Sequence, residues 1–196
     1  MDREFIFCDK LTYEDKLRAK VFAHLISMPV QLKYLLVEKF QLLASNNLRK
    51  NALSTVRHVE FNIPSCNHGP NESIDIGKDL TPFLSTYMPH LQTLCLWRPD
   101  DFPWTTIRPY FKSGCFYDSS IRRWMKTLRT SQSINEHRNI FEQDLSQLVE
   151  QLKQFVFLDI YGQISERKLQ SYYSMIQSRF PNSQFDIQIS RFRLWI

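Results

Sequence analysis

Three acidic residues are the strongest candidates for acid–base chemistry in this chain. Asp100 and Asp101 are adjacent and follow a predicted strand, a position at which α/β folds often bind ligands. Neighbouring residues of an extended segment point in opposite directions, so these two carboxylates make a poor acid–base pair. Asp159 lies inside a predicted strand, where a solvated acid on the exposed face or at the strand end is the simpler interpretation. An enzyme with an acidic site near these residues is therefore an alternative, not the main interpretation.

Cys66 and His68 share a loop and could form a nucleophile with its base, or half of a metal site. Zinc takes about four ligands, and no CxxC or HxxxH pair accompanies these two residues, so plain surface-loop residues are the favoured interpretation. The nucleotide-binding and hydrolytic motifs GxGxxG, GxxxxGK[ST], GxSxG and HExxH are absent from the sequence. The sequence thus predicts a protein with no catalytic residue, no metal and no cofactor.

A cationic helix face is the only basic cluster. Arg122, Lys126 and Arg129 are spaced to share one face, and no acid occurs from Ser119 to Asn135. This face could bind an acidic partner or phosphates, although an ordinary amphipathic helix packed on a core explains the pattern as well. The net charge of +5 comes from scattered residues and hardly favours nucleic acid as the partner. A weakly basic nucleic-acid binder that uses Arg122 to Arg129 is therefore a second alternative, not the main interpretation.

Large aromatic residues lie at or just beyond predicted strand ends. Such residues can contact a partner protein or cover an irregular core. We combine them with the acids and the cationic face into one predicted partner-binding set: Trp97, Asp100, Asp101, Trp104, Arg122, Lys126, Arg129, Asp159 and Tyr161.

The composition predicts a soluble α/β protein in the cytoplasm or nucleus. Hydrophobic residues make up 43% of the 196 residues, and only 4 are Gly, which disfavours turn-rich sandwiches and barrels. Four Cys without a CxxC pair indicate reduced thiols. The sequence shows no signal-peptide pattern and no apolar run of the roughly 18 residues that span a bilayer, so we expect no membrane partner.

Helix-then-strand units recur along the chain. Residues 1–55 are predicted as an N-terminal helical cap, with helical spacing through Leu32, Leu35 and Leu36. Residues 56–196 are predicted as one α/β repeat domain with an insertion at about 98–139, and we expect this domain and the cap to form one compact unit. Helices are predicted around residues 76–87, 141–152 and 169–176, each followed by a strand. An alternation that changes phase near Ser190 predicts a bulge or bend into a last short strand.

The strand spacing predicts a repeat array. The strand centres Phe61, Leu96, Phe157 and Ile187 are separated by 35, 61 and 30 residues, and the middle interval is about twice the others. Because helices connect the strands, we expect a mainly parallel sheet in which the last three strands are neighbours.

The segment from Tyr87 to Leu96 contains Pro89, Leu91, Leu94 and Leu96 in the pattern P-x-L-x-x-L-x-L. It resembles the helix-end and strand step of leucine-rich repeats in the target-binding half of F-box proteins. The resemblance extends over about residues 56–196 and implies a protein-interaction module, the substrate-recognition part of a ubiquitin ligase. No LPxE opening of an F-box occurs in the sequence, so that role requires an upstream or divergent F-box.

Overall fold

The structure, a computed structural model, describes residues 52–67, 71–110 and 126–196, together with 17, 32–37, 48, 123 and 124. Six strands and three helices occur in these residues. Their order along the chain is β1 (Tyr34–Val37), β2 (His58–Asn62), α1 (Asn71–Tyr87), β3 (Thr93–Trp97), α2 (Ser131–Gln151), β4 (Phe157–Tyr161), α3 (Glu166–Arg179), β5 (Gln184–Ile187) and β6 (Arg191–Trp195).

The strands form one mixed sheet in the order β1-β2-β3-β4-β6-β5. Strands β1 to β4 are parallel neighbours, and α1 and α2 supply the crossovers that parallel pairing requires. Strand β6 is antiparallel to both β4 and β5. The α/β class is therefore confirmed. The mainly parallel, repeat-like sheet is not, because the last two strands form a hairpin whose strands pair antiparallel.

The hairpin places β6 where the repeat hypothesis expected β5. Gln188 and Arg191 exchange backbone hydrogen bonds of 2.8 and 3.4 Å, which leaves a two-residue turn at Ile189 and Ser190. The predicted change of phase near Ser190 is this turn, and the predicted last strand is β6. The last helix-then-strand unit, α3 with β5, is therefore not a further parallel repeat, since β6 separates β5 from β4.

The register also corrects the repeat spacing. Phe61 pairs with Leu96, and Leu96 pairs with Ile160, so Phe157 lies at a different level of the sheet. Helix α2 begins at Ser131, so the last part of the predicted insertion at 98–139 belongs to that helix.

Strand β1 replaces part of the predicted N-terminal helix. Leu35 and Val37 are buried whereas Tyr34 and Leu36 are exposed, which is the two-residue period of a strand. Adjacent leucines fit either a helix or a strand, and pairing with β2 decides between them. The rest of the predicted cap, residues 1–16, 18–31, 38–47 and 49–51, lies outside the described residues.

The core lies between one face of the sheet and the helices. Helix α2 contacts both α1 and α3, so the three helices form one layer. The sheet contributes alternate buried side chains: Leu35, Val37, Val59, Phe61, Leu94, Leu96, Leu158, Ile160, Phe192 and Leu194. In the described part of the chain, no helix is long and apolar enough to cross a membrane.

Candidate functional site

The opposite face of the sheet carries aromatic and charged side chains, and no described helix packs against it. Because side chains alternate along a strand, this face is formed by the residues between the core positions. We call it the open face: Tyr34, Leu36, His58, Glu60, Asn62, Thr93, Cys95, Trp97, Phe157, Asp159, Tyr161, Gln184, Asp186, Arg191, Arg193 and Trp195.

A stacked row crosses three strands of the open face. Trp97 and Tyr161 are register partners, and their ring planes are 4° from parallel with centroids 3.9 Å apart. Arg191 is the register partner of Tyr161, and its guanidinium carbon lies 4.5 Å from the centre of that ring. Because adjacent strands are about 4.8 Å apart, parallel rings at this distance stand upright and present their edges to solvent. Flat stacking platforms for nucleic-acid bases need exposed ring faces, so this row suits a protein partner better.

The charged groups of the open face are paired with one another. Arg191 donates two hydrogen bonds to Asp159, of 2.9 and 2.6 Å, and Arg193 forms an ion pair with Asp186. Hydrogen bonding to Asp159 raises the pKa of Arg191 further above its ordinary value. A partner can therefore cover this part of the sheet without leaving these ions unpaired.

Glu60 organises the β1 side of the open face. It accepts hydrogen bonds from the Tyr34 hydroxyl at 3.0 Å and from the Trp97 indole N–H. The bond to Glu60 raises the pKa of Tyr34, so this hydroxyl remains a donor. Burial, reinforced by Glu60 and Asp159, raises the pKa of Cys95 to about 12, which keeps its thiol protonated.

Large apolar side chains remain exposed on the open face. The exposed fraction is 53% for Tyr34, 60% for Leu36, 39% for Trp97 and 37% for Trp195. Trp195 stacks on Phe157 with ring centroids 4.9 Å apart. Exposed aromatic residues that are already held in place lose little side-chain entropy when they bind a partner.

A second group of functional residue types is buried at the carboxyl end of β3. Asp101 accepts hydrogen bonds through Oδ1 from the Tyr172 hydroxyl and the Phe102 N–H, both at 2.9 Å. Its Oδ2 contacts the Lys168 ammonium and lies 3.1 Å from Nδ1 of His137. These contacts join the loop after β3 to α2 and α3. We call Asp101, His137, Lys168 and Tyr172 the Asp101 cluster.

Within the Asp101 cluster, Asp101 and Tyr172 are each held in one charge state. Burial by itself would raise the pKa of Asp101, but hydrogen bonding to His137 and the charge of Lys168 outweigh it and hold the pKa at about 2. Burial and the neighbouring Asp101 raise the pKa of Tyr172 well above its ordinary value. A permanent carboxylate beside a permanent phenol stabilises the fold and is unsuited to proton transfer near neutral pH.

The carboxylate of Asp100 contacts different residues from that of Asp101, as expected because adjacent residues of an extended segment point in opposite directions. Its Oδ1 accepts a 3.0 Å hydrogen bond from the buried Arg98, and its Oδ2 accepts from Ser65 and, at 3.3 Å, from Asn67. Arg98 also donates to the Asp101 backbone carbonyl at 2.7 Å. Asp100 thus joins the ends of β2 and β3.

The Cys66 thiol is not available as a nucleophile. The residue is fully buried, and burial raises the pKa of its thiol to about 12. His68, its proposed base, lies outside the described residues. No group of three or more His, Cys, Asp or Glu in the described part of the chain could hold a metal ion.

Trp104 belongs to the core rather than to a binding surface. Its side chain is 1% exposed, and its backbone N–H donates at 2.9 Å to Asp144, which also accepts from the N–H and the hydroxyl of Thr105 at 3.1 and 2.6 Å. Burial raises the pKa of Asp144 to about 7. Gly77 allows this approach, because a Cβ there would lie 1.8 Å from the Trp104 carbonyl oxygen.

The predicted partner-binding set therefore separates into three locations. Trp97, Asp159 and Tyr161 lie together on the open face. Asp100, Asp101 and Trp104 lie in the loop after β3, where Asp101 and Trp104 are buried and cannot contact a partner in this conformation. Lys126 and Arg129 are exposed in the segment that leads to α2, and Arg122 lies outside the described residues.

Sequence reasoning missed four residues of these two sites. Arg191 was not singled out, because an arginine in a short terminal strand carries no local signal. His137, Lys168 and Tyr172 were not recognised as partners of Asp101; Tyr172 was predicted only as part of an apolar helix face. His137 is four residues before the buried Phe141 on α2, a spacing that predicts burial and could have identified it.

No protein-family model, curated protein or solved structure matches this chain.

Proposed function

We propose that this protein is a protein-binding module whose contact surface is the open face. The observation that supports this most directly is the stacked row of Trp97, Tyr161 and Arg191. Trp, Tyr and Arg are the residue types that contribute most binding energy in protein interfaces. They are also fixed before binding, by stacking and by the bond between Arg191 and Asp159.

The favoured partner is a protein that presents an uncharged, largely apolar surface. The described acids of the open face already have partners: Glu60 is bonded to Tyr34 and Trp97, and Asp159 and Asp186 are bonded to arginines. A strongly charged partner would have to compete with these pairs. The exposed apolar area of Tyr34, Leu36, Trp97 and Trp195 gains free energy when an apolar surface covers it.

Binding is better supported than acid–base catalysis. Asp101 is held as an anion by Lys168 and His137, and Asp159 is bonded through both oxygens to Arg191. A general acid or base must exchange a proton near the working pH, which these arrangements oppose.

The ubiquitin-ligase role implied by the resemblance is a narrower form of the same proposal. In it, the open face would bind a protein destined for ubiquitination, and a cullin complex would bind elsewhere. Co-purification of cullin components with the tagged chain in cells, retained in a Trp97→Ala variant, would support this role. Their absence would leave the binding module without the ligase function.

The binding proposal is tested by comparing three baits in one affinity-purification experiment. Wild type, Trp97→Ala and a control, Tyr110→Ala, are immobilised; Tyr110 is 53% exposed but lies in a loop outside the open face. We expect partners that wild type and Tyr110→Ala retain and Trp97→Ala loses. With a purified partner, Trp97→Ala should weaken binding by about 30-fold, the effect of a central interface tryptophan. If Trp97→Ala, and likewise Arg191→Ala, binds the partner as tightly as wild type, the proposed surface is refuted.

A further inference from the structure

In the described part of the chain, no strand pairs with the backbone N–H and C=O groups on the outer edge of β5. Gln188 and Arg191 form a hydrogen-bonded pair, and such pairs alternate along an antiparallel ladder. Asp186 and Gln184 are therefore bonded to β6, whereas Phe185 and Ile187 direct their N–H and C=O groups away from it. In the described residues, β5 is the end of the sheet. A strand edge of this kind is a template for another strand.

Strand β5 is short, but it lacks three features that commonly block strand addition: a Lys, a Pro and a bulge. Its pairing with β6 is continuous from Gln184 to Ile187. Its one charged residue, Asp186, is neutralised by Arg193. Beside the strand, Tyr173 of α3 is 48% exposed and packs edge-on against Phe185 with ring centroids 5.0 Å apart.

We propose that two copies of this chain pair through β5, antiparallel, to form one continuous sheet. The favoured register places Phe185 opposite Phe185 of the second copy as a hydrogen-bonded pair, and Asp186 opposite Gln184. A register centred on Asp186 would place two carboxylates directly opposite each other, which is destabilising. Of these two registers, only the one centred on Phe185 avoids facing carboxylates.

Side chains on the helix side complete the dimer interface. The two Phe185 rings become neighbours, and each is flanked by its own Tyr173. The backbone contributes two hydrogen bonds from the Phe185 pair, and each Ile187 N–H can donate to the Ser183 carbonyl of the other copy. An interface built on a four-residue strand is at the small end of specific interfaces, so we expect a weak, reversible dimer.

The dimer uses the β5 edge and leaves the Trp97 row free, so it is independent of the proposed binding function. Sedimentation velocity of the full chain from about 1 to 500 μM should show a reversible monomer–dimer equilibrium. Phe185→Lys and Phe185→Glu should each remain monomeric, because like charges then meet at the centre of the pair. Mixing the two variants should restore a dimer, since opposite charges meet.

Two further variants make the test decisive. Trp97→Ala should dimerise like wild type, whereas a dimer lost in Trp97→Ala would place the contact on the open face. Tyr173→Ala retains Phe185 and should weaken dimerisation by about tenfold, which tests the interface if the Phe185 variants unfold. A wild-type chain that stays monomeric throughout, or a wild-type dimer that neither the Phe185 nor the Tyr173 variants weaken, would overturn the proposal.

Discussion

Replacing Asp144 with Asn isolates the cost of one buried charge. Asp144 accepts hydrogen bonds from the backbone N–H groups of Trp104 and Thr105 and from the Thr105 hydroxyl. Asn has the same shape: its Oδ1 can accept from both N–H groups, and its amide can donate to the hydroxyl oxygen. Asp144→Asn therefore retains both backbone hydrogen bonds, reverses the direction of the bond to the Thr105 hydroxyl, and removes the ionisation.

The size of the effect follows from the pKa of Asp144. Burial raises this pKa from 3.8 to about 7 in the folded protein, while the unfolded chain keeps the ordinary value. Between pH 4 and 7, Asp144 is ionised in the unfolded chain but protonated in the folded protein, so the free energy of unfolding falls as the pH rises through this range. It is highest below pH 4 and constant above about pH 8. At about 1.4 kcal/mol per pKa unit, the loss is about 4 kcal/mol.

Urea unfolding at pH 5, 6, 7 and 8 measures this directly. We expect wild type to lose a few kcal/mol of unfolding free energy from pH 5 to 8, and Asp144→Asn to lack that component. Asp144→Ala is the control for the hydrogen bonds: it leaves the N–H groups of Trp104 and Thr105 unpaired and should cost about 2 to 4 kcal/mol at pH 5. The same pH slope in wild type and Asp144→Asn would refute the reasoning.

Three further predictions concern the loop after β3. In the folded protein the pKa of Asp101 is about 2, below the ordinary 3.8, so the ionised Asp101 stabilises the fold above pH 4. About 2 kcal/mol of this stability is lost as the pH falls to 2. Acid unfolding of wild type should therefore show this loss, and that of Asp101→Asn should not. Asp101→Asn should also destabilise the protein by about 3 to 5 kcal/mol at pH 7, because the Lys168 ammonium remains buried without its anion. Urea unfolding of the Asp101→Asn, Lys168→Met double variant tests this explanation. A smaller loss of stability in the double variant than in Asp101→Asn would confirm that the two side chains are coupled. Gly77→Ala should destabilise the protein by at least about 2 kcal/mol in thermal unfolding, because the added Cβ meets the Trp104 carbonyl. The control variant Asp79→Ala, on the exposed side of α1, should change stability little. Equal effects of the two variants would contradict the packing argument.

Local patterns in the sequence were sufficient to place most helices and strands. The apolar spacing of residues 76–87, 141–152 and 169–176 predicted α1, α2 and α3, because an amphipathic helix carries its period within a few turns. The predicted strands around Phe61, Leu96, Phe157 and Ile187 all lie in the sheet. Three of the nine predicted binding residues, Trp97, Asp159 and Tyr161, also share one face, since strand alternation fixed their direction.

The sheet order and the partners of the charged residues were decided by the tertiary structure. Pairing β6 with β4 depends on contacts between residues 30 to 38 positions apart, and no local period encodes which strand enters between two others. For the same reason the sequence could not show that Lys168, 67 residues from Asp101, would neutralise that acid, or that Arg191 would extend the Trp97 row. Periodicity specifies which side of an element is apolar, whereas burial and long-range pairing determine which polar groups meet and which remain available to a partner.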